Sequence, residues 1–331
     1  MPLGVGSIPE GGLNTSLPTG KGATMGREQL DLEYLLPGGH EWGGAGFDYD
    51  DGVWIGRKMA VSYPDDGHDL LPETLNSWWY GERAKVVLDA ARTHCRGSRV
   101  LWDVGGGTGL MAMAFRDAGW RTALVEPVES AARKAVGVAD AVFAGQLEDL
   151  CLPPGSVPAI GLFDVIEHLD DPIAMLQECQ RVLAPDGIVI VTVPALPRLW
   201  SATDRVGGHK RRYTKREMAH EAQGAGLQCI QQSYFFGLLA LAAMPSRLIS
   251  RRAVTDASDA EILAREARLL SPSPAVNRLF RGICATERLV GKVVPIPAGL
   301  SLLAVLAHAP KDASDSGRGR QAHGNERGET A

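Results

Sequence analysis

The stretch that most restricts this chain is a short apolar run, Arg99–Val104, which carries Asp103 near its end and leads straight into Gly105-Gly-Gly-Thr-Gly109. Glycines at alternate positions let the backbone turn tightly and approach a ligand that side chains would exclude. A helix that follows such a turn presents its first amides to polar or anionic ligand groups. A strand, a glycine turn and a helix in that order begin an α/β fold, and the alternation continues downstream. Leu110–Ala118 reads as a helix stopped at Gly119, Thr122–Val125 as a strand and Glu129–Val136 as a helix. Val142–Phe143 and Ala159–Val165 read as two further strands. Asp170-Asp-Pro172 puts a cap before a proline at the first helical position, and Ile173, Leu176, Cys179 and Leu183 then mark one buried face. Pro185-Asp-Gly187 predicts a turn into Ile188–Val193, a β-branched run suited to a central strand. Strands near Leu227–Tyr234 and Leu300–Leu306 flank a helical insertion at about 235–295. The expectation is a mostly parallel sheet with helices on both faces.

Outside this core the patterning fades. Residues 1–24 and 311–331 lack apolar periodicity and are expected to be disordered. Residues 25–75 form an irregular or short-strand N-terminal extension, and a helix is predicted from about Asn76 to Arg92. A formal charge of −5 and no long basic block leave no electrostatic footprint for nucleic acid. Five scattered cysteines without ligand spacing, and no basic segment followed by an apolar one at the N-terminus, suit a reducing cytoplasm. The apolar stretch Phe235–Met244 is too short to span a bilayer. With Arg247, Arg251 and Arg252 beyond it, that stretch suits either peripheral membrane contact or a helical cap over the sheet, with the cap favoured.

Glu126 follows Gly109 by 17 residues, at the end of the second strand, where a carboxylate can accept hydrogen bonds from both ribose hydroxyls. Spacing alone leaves a nicotinamide-dependent oxidoreductase open, because Gly107-Thr-Gly-Leu-Met-Ala112 also satisfies the dinucleotide fingerprint. The remaining motifs discriminate. Leu101-Trp-Asp-Val-Gly-Gly-Gly-Thr-Gly109, Leu124-Val-Glu-Pro127, Phe163-Asp-Val-Ile-Glu-His-Leu-Asp-Asp-Pro172 and Arg181-Val-Leu-Ala-Pro-Asp-Gly-Ile-Val-Ile-Val-Thr-Val-Pro194 occur in that order. Across about residues 76–309 the chain resembles the class I S-adenosylmethionine-dependent methyltransferases. That resemblance implies a Rossmann-like seven-stranded sheet whose last strand, here Leu300–Leu306, is antiparallel. It implies S-adenosyl-L-methionine as cofactor, with Gly105, Gly107 and Gly109 against its methionine part, Asp103 shaping the turn and Glu126 on the ribose. Gly145–Leu150 resembles the adenine-binding turn, where Gln146 stands in place of the usual aspartate beside Leu147. Pro127, Phe163 and Asp164, from the same motifs, complete the cofactor set, and Arg83 is expected at the cofactor carboxylate.

Methyl transfer from a sulfonium is an in-line displacement, so the enzyme chiefly aligns the acceptor and handles any proton released. His168 follows the fourth strand on the ligand side and is a candidate base, or else it braces the loop with Glu167; His209 is a second candidate. Arg211 and Arg212 would clamp an anionic acceptor, or form a solvated basic run, with Tyr213 beside them. Trp79 and Tyr80 would form a lid, or pack their helix onto the sheet. The residues require no metal, although Glu167 and His168 leave the possibility. The reading is methyl transfer to an O, N or C atom of a small-molecule or lipid-linked acceptor. A methyltransferase fold without activity, serving as a binding protein, is the non-enzymatic alternative.

Overall fold

The computed structural model describes residues 35–36, 42, 46–57, 77–241, 258–270 and 272–310. Its strands are β1 (Phe47–Asp50), β2 (Val53–Gly56), β3 (Val100–Val104), β4 (Arg121–Glu126), β5 (Ala141–Ala144), β6 (Val157–Phe163), β7 (Leu183–Pro194), β8 (Leu227–Phe235) and β9 (Ser301–His308). The helices are α1 (Trp78–His94), α2 (Leu110–Asp117), α3 (Glu129–Lys134), α4 (Pro172–Val182), α5 (Ala202–Val206), α6 (Lys215–Gly224), α7 (Asp259–Leu270) and α8 (Pro274–Val290). One sheet runs β1-β2-β5-β4-β3-β6-β7-β9-β8. Strands β2 to β7 pair in parallel, and β9 lies antiparallel between β7 and β8.

The expected α/β class and antiparallel last strand are present, but the sheet has nine strands among the described residues where seven were expected. The two additional strands come from the N-terminal extension. Asp51 and Gly52 both adopt positive φ, which gives the tight primed turn whose twist matches a hairpin, and β2 extends the sheet by pairing in parallel with β5. Trp42 covers this edge, edge-on to Phe47, Trp54 and Phe143, with its indole N–H donating to the Leu150 carbonyl at 2.7 Å. The turn expected at Pro185–Gly187 lies instead within β7. Pairing passes from Val157↔Leu183 to Ala159↔Ile188, so these residues bulge from a strand that begins earlier than its β-branched run.

One face of the sheet buries Leu101, Phe163, Ile190 and Leu303 against Val87 and Leu88 of α1, Met111 and Phe115 of α2, and Cys284 of α8. In β7 the alternate residues Val189, Val191 and Val193 are equally buried, and α4 and α6 pack on that side of the fold and on each other. A strand buried on both faces reads as a continuous apolar run, which accounts for Ile188–Val193. The cap expected before α4 is formed: Asp171 accepts a hydrogen bond from the Ala174 amide at 3.1 Å, with Pro172 at the first helical position. Of the apolar stretch that begins at the end of β8, Phe235, Phe236, Leu239 and Ala240 are buried, whereas Leu238 and Leu241 are exposed. Arg247, Arg251 and Arg252 lie outside the described residues, as do residues 1–24 and 311–331. No helix among the described residues is long and apolar enough to cross a membrane.

Candidate active site

Because β3 to β7 are parallel, the turns that follow β4, β3, β6 and β7 all open at one edge of the sheet. The chain reverses direction across the sheet between β3 and β6, and open α/β sheets bind ligands at such a point. Gly105, Gly107 and Gly109 have φ of +70°, +54° and +87°. A Cβ at Gly105 would come within 2.7 Å of Val165, so neither conformation nor space admits a side chain there. Glu126, buried at the end of β4, fastens this turn. One carboxylate oxygen accepts from the Gly107 amide at 2.9 Å and the other from the Val128 amide at 2.8 Å. Asp103 is buried beneath the turn, with Oδ2 accepting from the Ala112 amide at 3.1 Å and Oδ1 lacking a partner. Burial pushes its pKa up to about 7, against the pull of the Ala112 amide and the Arg83 charge. Pro127 and Gln146 are half-buried on the β4 and β5 turns, and Leu147 is buried beside Gln146.

Two ion pairs, one partly and one fully buried, hold the chain after β6 and β7. Arg83 of α1 donates to Asp164 at 2.9 Å and to the Thr192 hydroxyl at 2.8 Å, and Thr192 in turn donates to Asp164 at 3.1 Å. Asp164 itself sits at φ +59°, a conformation this triangle helps to hold. The guanidinium expected at the cofactor carboxylate therefore spans α1 and β6 instead. Asp204, which the sequence places in the polar loop after the fifth strand without a role of its own, is the second hub. It accepts from Arg212 Nε at 2.7 Å and Nη2 at 2.9 Å, from the Ser201 amide at 2.7 Å, and pairs with His209 Nδ1 at 2.9 Å. Burial alone would raise its pKa, but the hydrogen bonds from His209 and Arg212 hold it well below the usual carboxylate range. Arg212 also donates to the Ala195 carbonyl at 3.0 Å, and it is buried. It braces the loop from beneath rather than offering a clamp. Arg211 is turned onto the Leu169 and Asp170 carbonyls, at 2.8 and 3.1 Å. Tyr213 is wholly buried with its hydroxyl beside Glu221, so the structure gives it a packing role.

His168 and His209 are brought together, ring centroids 4.9 Å apart and nearly perpendicular. Glu167 joins them: one of its carboxylate oxygens and one nitrogen of each ring lie within 4.8 Å of one another. Burial and the neighbouring His209 push the His168 pKa down to about 4. At that value His168 is neutral at physiological pH and has little driving force to take a proton, which weakens the expected base role. Phe163 faces away from this edge. Its ring stacks 6.3 Å from Phe115 in the core, folded over Gly161, where a Cβ would run into it. Trp79 packs against Phe236 at 4.7 Å and Trp78 at 5.4 Å, which is the packing alternative for that residue. Trp78, its neighbour, donates its indole N–H to the Leu269 carbonyl and so ties α1 to the insertion. Tyr80 is half-buried one residue further along α1.

A glycine-lined cradle with a carboxylate at the next strand end, on a parallel sheet closed by an antiparallel hairpin, is the arrangement of the class I S-adenosylmethionine-dependent methyltransferases. Comparison with known families agrees: residues 63–232 match the family model described as a methyltransferase domain, and the chain belongs to that family. A probable S-adenosylmethionine-dependent methyltransferase from Mycolicibacterium smegmatis is 30% identical over 141 residues, 42% of this chain and 54% of the relative. A ubiquinone biosynthesis O-methyltransferase from Xanthomonas campestris is 29% identical over 141 residues, 38% of this chain and 59% of the relative. The chain thus spans little more than half the length of the curated relatives it matches. Among solved structures, a SAM-dependent methyltransferase from Archaeoglobus fulgidus aligns with 67% of this chain and 93% of its own, at TM-score 0.42 and 16% identity.

Proposed function

We propose that this protein transfers a methyl group from S-adenosylmethionine to a small-molecule acceptor. The observation that carries the reading is the fit of the β3–β4 edge to that cofactor: a turn of three left-handed glycines, a buried Asp103 oxygen with no partner, and a carboxylate at Glu126 fastened to the turn itself. Glu126 would hold the ribose, Asp103 Oδ1 would accept from the amino group, and Gln146 with Leu147 would border the adenine. When bound, the cofactor supplies an electrophilic methyl group on a sulfonium, so the protein's task is alignment and acceptor activation. The β6–β7 edge, beside the cofactor edge, bears Glu167, His168 and His209, and this group activates the acceptor. A relative named as an O-methyltransferase supports oxygen as the atom methylated.

Two measurements test this. Calorimetry with S-adenosylhomocysteine and with a nicotinamide dinucleotide should give binding of the first alone. Mass spectrometry of cell extract incubated with the protein and a methyl-deuterated cofactor should yield a labelled product. Homocysteine-nucleoside binding without any labelled product would favour a binding protein, and dinucleotide binding would overturn the assignment.

A further inference from the structure

Glu167 presents a problem of charge. Its side chain has no exposure, and neither Oε1 nor Oε2 has a hydrogen-bond partner. The two guanidinium groups acting on it are each paired elsewhere, Arg83 with Asp164 and Arg212 with Asp204. Counted at full ionisation these five groups would carry one negative charge in excess, and burial beside Asp164 pushes Glu167, the carboxylate least able to reach water, toward its neutral form. A buried carboxylate that is neither paired nor hydrogen-bonded is strongly disfavoured unless it is neutralised or ligates a cation.

The groups facing it are suited to the second course. His209 is held through Nδ1 by Asp204 at 2.9 Å, which leaves Nε2 as its other ring nitrogen. A carboxylate that orients an imidazole through one nitrogen and frees the other is the outer-shell support commonly found behind metal-ligating histidines. His168 hydrogen-bonds the Gly208 backbone and meets His209 edge to face. We infer that Glu167, His168 and His209 form a site for one divalent transition-metal ion of the zinc class, held by one carboxylate oxygen and two imidazole nitrogens. Two imidazoles and one carboxylate suit zinc and its neighbours rather than magnesium or calcium. Ligand atoms around tetrahedral zinc sit about 3.4 Å apart, given bonds of about 2.1 Å, so a spread of up to 4.8 Å closes by small rotamer adjustments.

Three protein ligands leave positions open, and this deepens the functional reading, on which it rests, by naming the acceptor class: a hydroxyl compound whose oxygen can ligate, such as a phenol, an enol or a vicinal diol. The ion polarises the hydroxyl, whose proton passes to water. The oxygen lone pair then forms the bond to the methyl carbon while the carbon–sulfur pair returns to sulfur, leaving a neutral thioether.

The test uses the full chain stripped by a chelator. Zinc titrated in competition with a chromophoric chelator should bind at one ion per chain, and cobalt(II) should give the visible absorption of a low-coordinate site. Glu167→Gln and His209→Ala should each weaken zinc at least tenfold, while S-adenosylhomocysteine affinity, measured on the same metal-free samples, is retained. Absence of stoichiometric binding, or equal binding by both variants, would overturn the site. Should His209→Ala fail to fold, His168→Gln and the wild-type cobalt spectrum decide, a colourless cobalt-saturated sample refuting the site. Nucleoside binding without metal sinks this inference alone, whereas loss of both in the unmodified protein sinks the reading beneath it.

Discussion

Glu126 bears two loads at once, and replacing it with alanine separates them. Its oxygens satisfy the Gly107 and Val128 amides, so Glu126→Ala leaves two backbone donors without partners. An orphaned buried donor costs about 1–3 kcal/mol, and at the open sheet edge, where water can reach the freed amides, the lower half of that range applies to each. The loss should therefore be about 2–4 kcal/mol, which for an ordered domain of this size lowers the melting temperature by roughly 4–16 °C. The second load is the ribose. Losing charge-assisted hydrogen bonds to its hydroxyls should weaken S-adenosylhomocysteine by about 1–3 kcal/mol, roughly 5- to 150-fold in Kd. Scanning calorimetry reads the first effect, and titration calorimetry well below the variant's melting temperature reads the second. A lower melting temperature with unchanged affinity would show that Glu126 only braces the turn, and would refute its assignment to the ribose. An unchanged melting temperature would refute the hydrogen-bonding argument itself.

Asp103 gives a pH dependence with an unusual sign. It holds its proton up to about pH 7 when folded, but unfolded it loses that proton near pH ~3.9, so between these values the native state binds more protons and stability falls as pH rises. Asp103→Asn removes that slope: its melting temperature relative to the parent should improve from pH 5 to pH 8, and a constant difference would count against the assignment. Thr192→Val keeps the shape of a fully buried side chain but deletes the hydroxyl between Arg83 and Asp164, for an expected loss of about 1–3 kcal/mol in urea unfolding; no change in midpoint would mean that the triangle contributes nothing. Gly161→Ala drives a methyl into the Phe163 ring and should destabilise by about 1–3 kcal/mol through overpacking, visible as faster proteolysis, with Gly161→Ala/Phe163→Leu recovering much of the loss.

The parts of this molecule that were legible in the sequence are those whose cause is local. Strands β3, β4, β6 and β7 each carry an apolar run because both faces are buried there, the glycine turn follows β3 directly, and Glu126 ends β4. The hairpin β1–β2 was obscured although Asp51-Gly52 is a strong turn signal. Its strands bury little beyond Phe47, Val53 and Gly56, and the covering Trp42 reaches Phe143, a hundred residues away, through contacts no local window contains. The β6–β7 edge was harder for a related reason. Arginine looks the same in sequence whether it awaits an anionic substrate or is already neutralised. Arg83 meets Thr192 across 109 positions, and Arg212 is spent on Asp204, which reads locally as an ordinary helix cap. Once both guanidinium groups are accounted for, neither Arg83 nor Arg212 is free to act as a clamp, and Glu167 is left buried with both carboxylate oxygens lacking hydrogen-bond partners. On the proposed reading, such an edge would suit a cation and the hydroxyl oxygen bound to it rather than an acceptor recognised through a phosphate or carboxylate of its own.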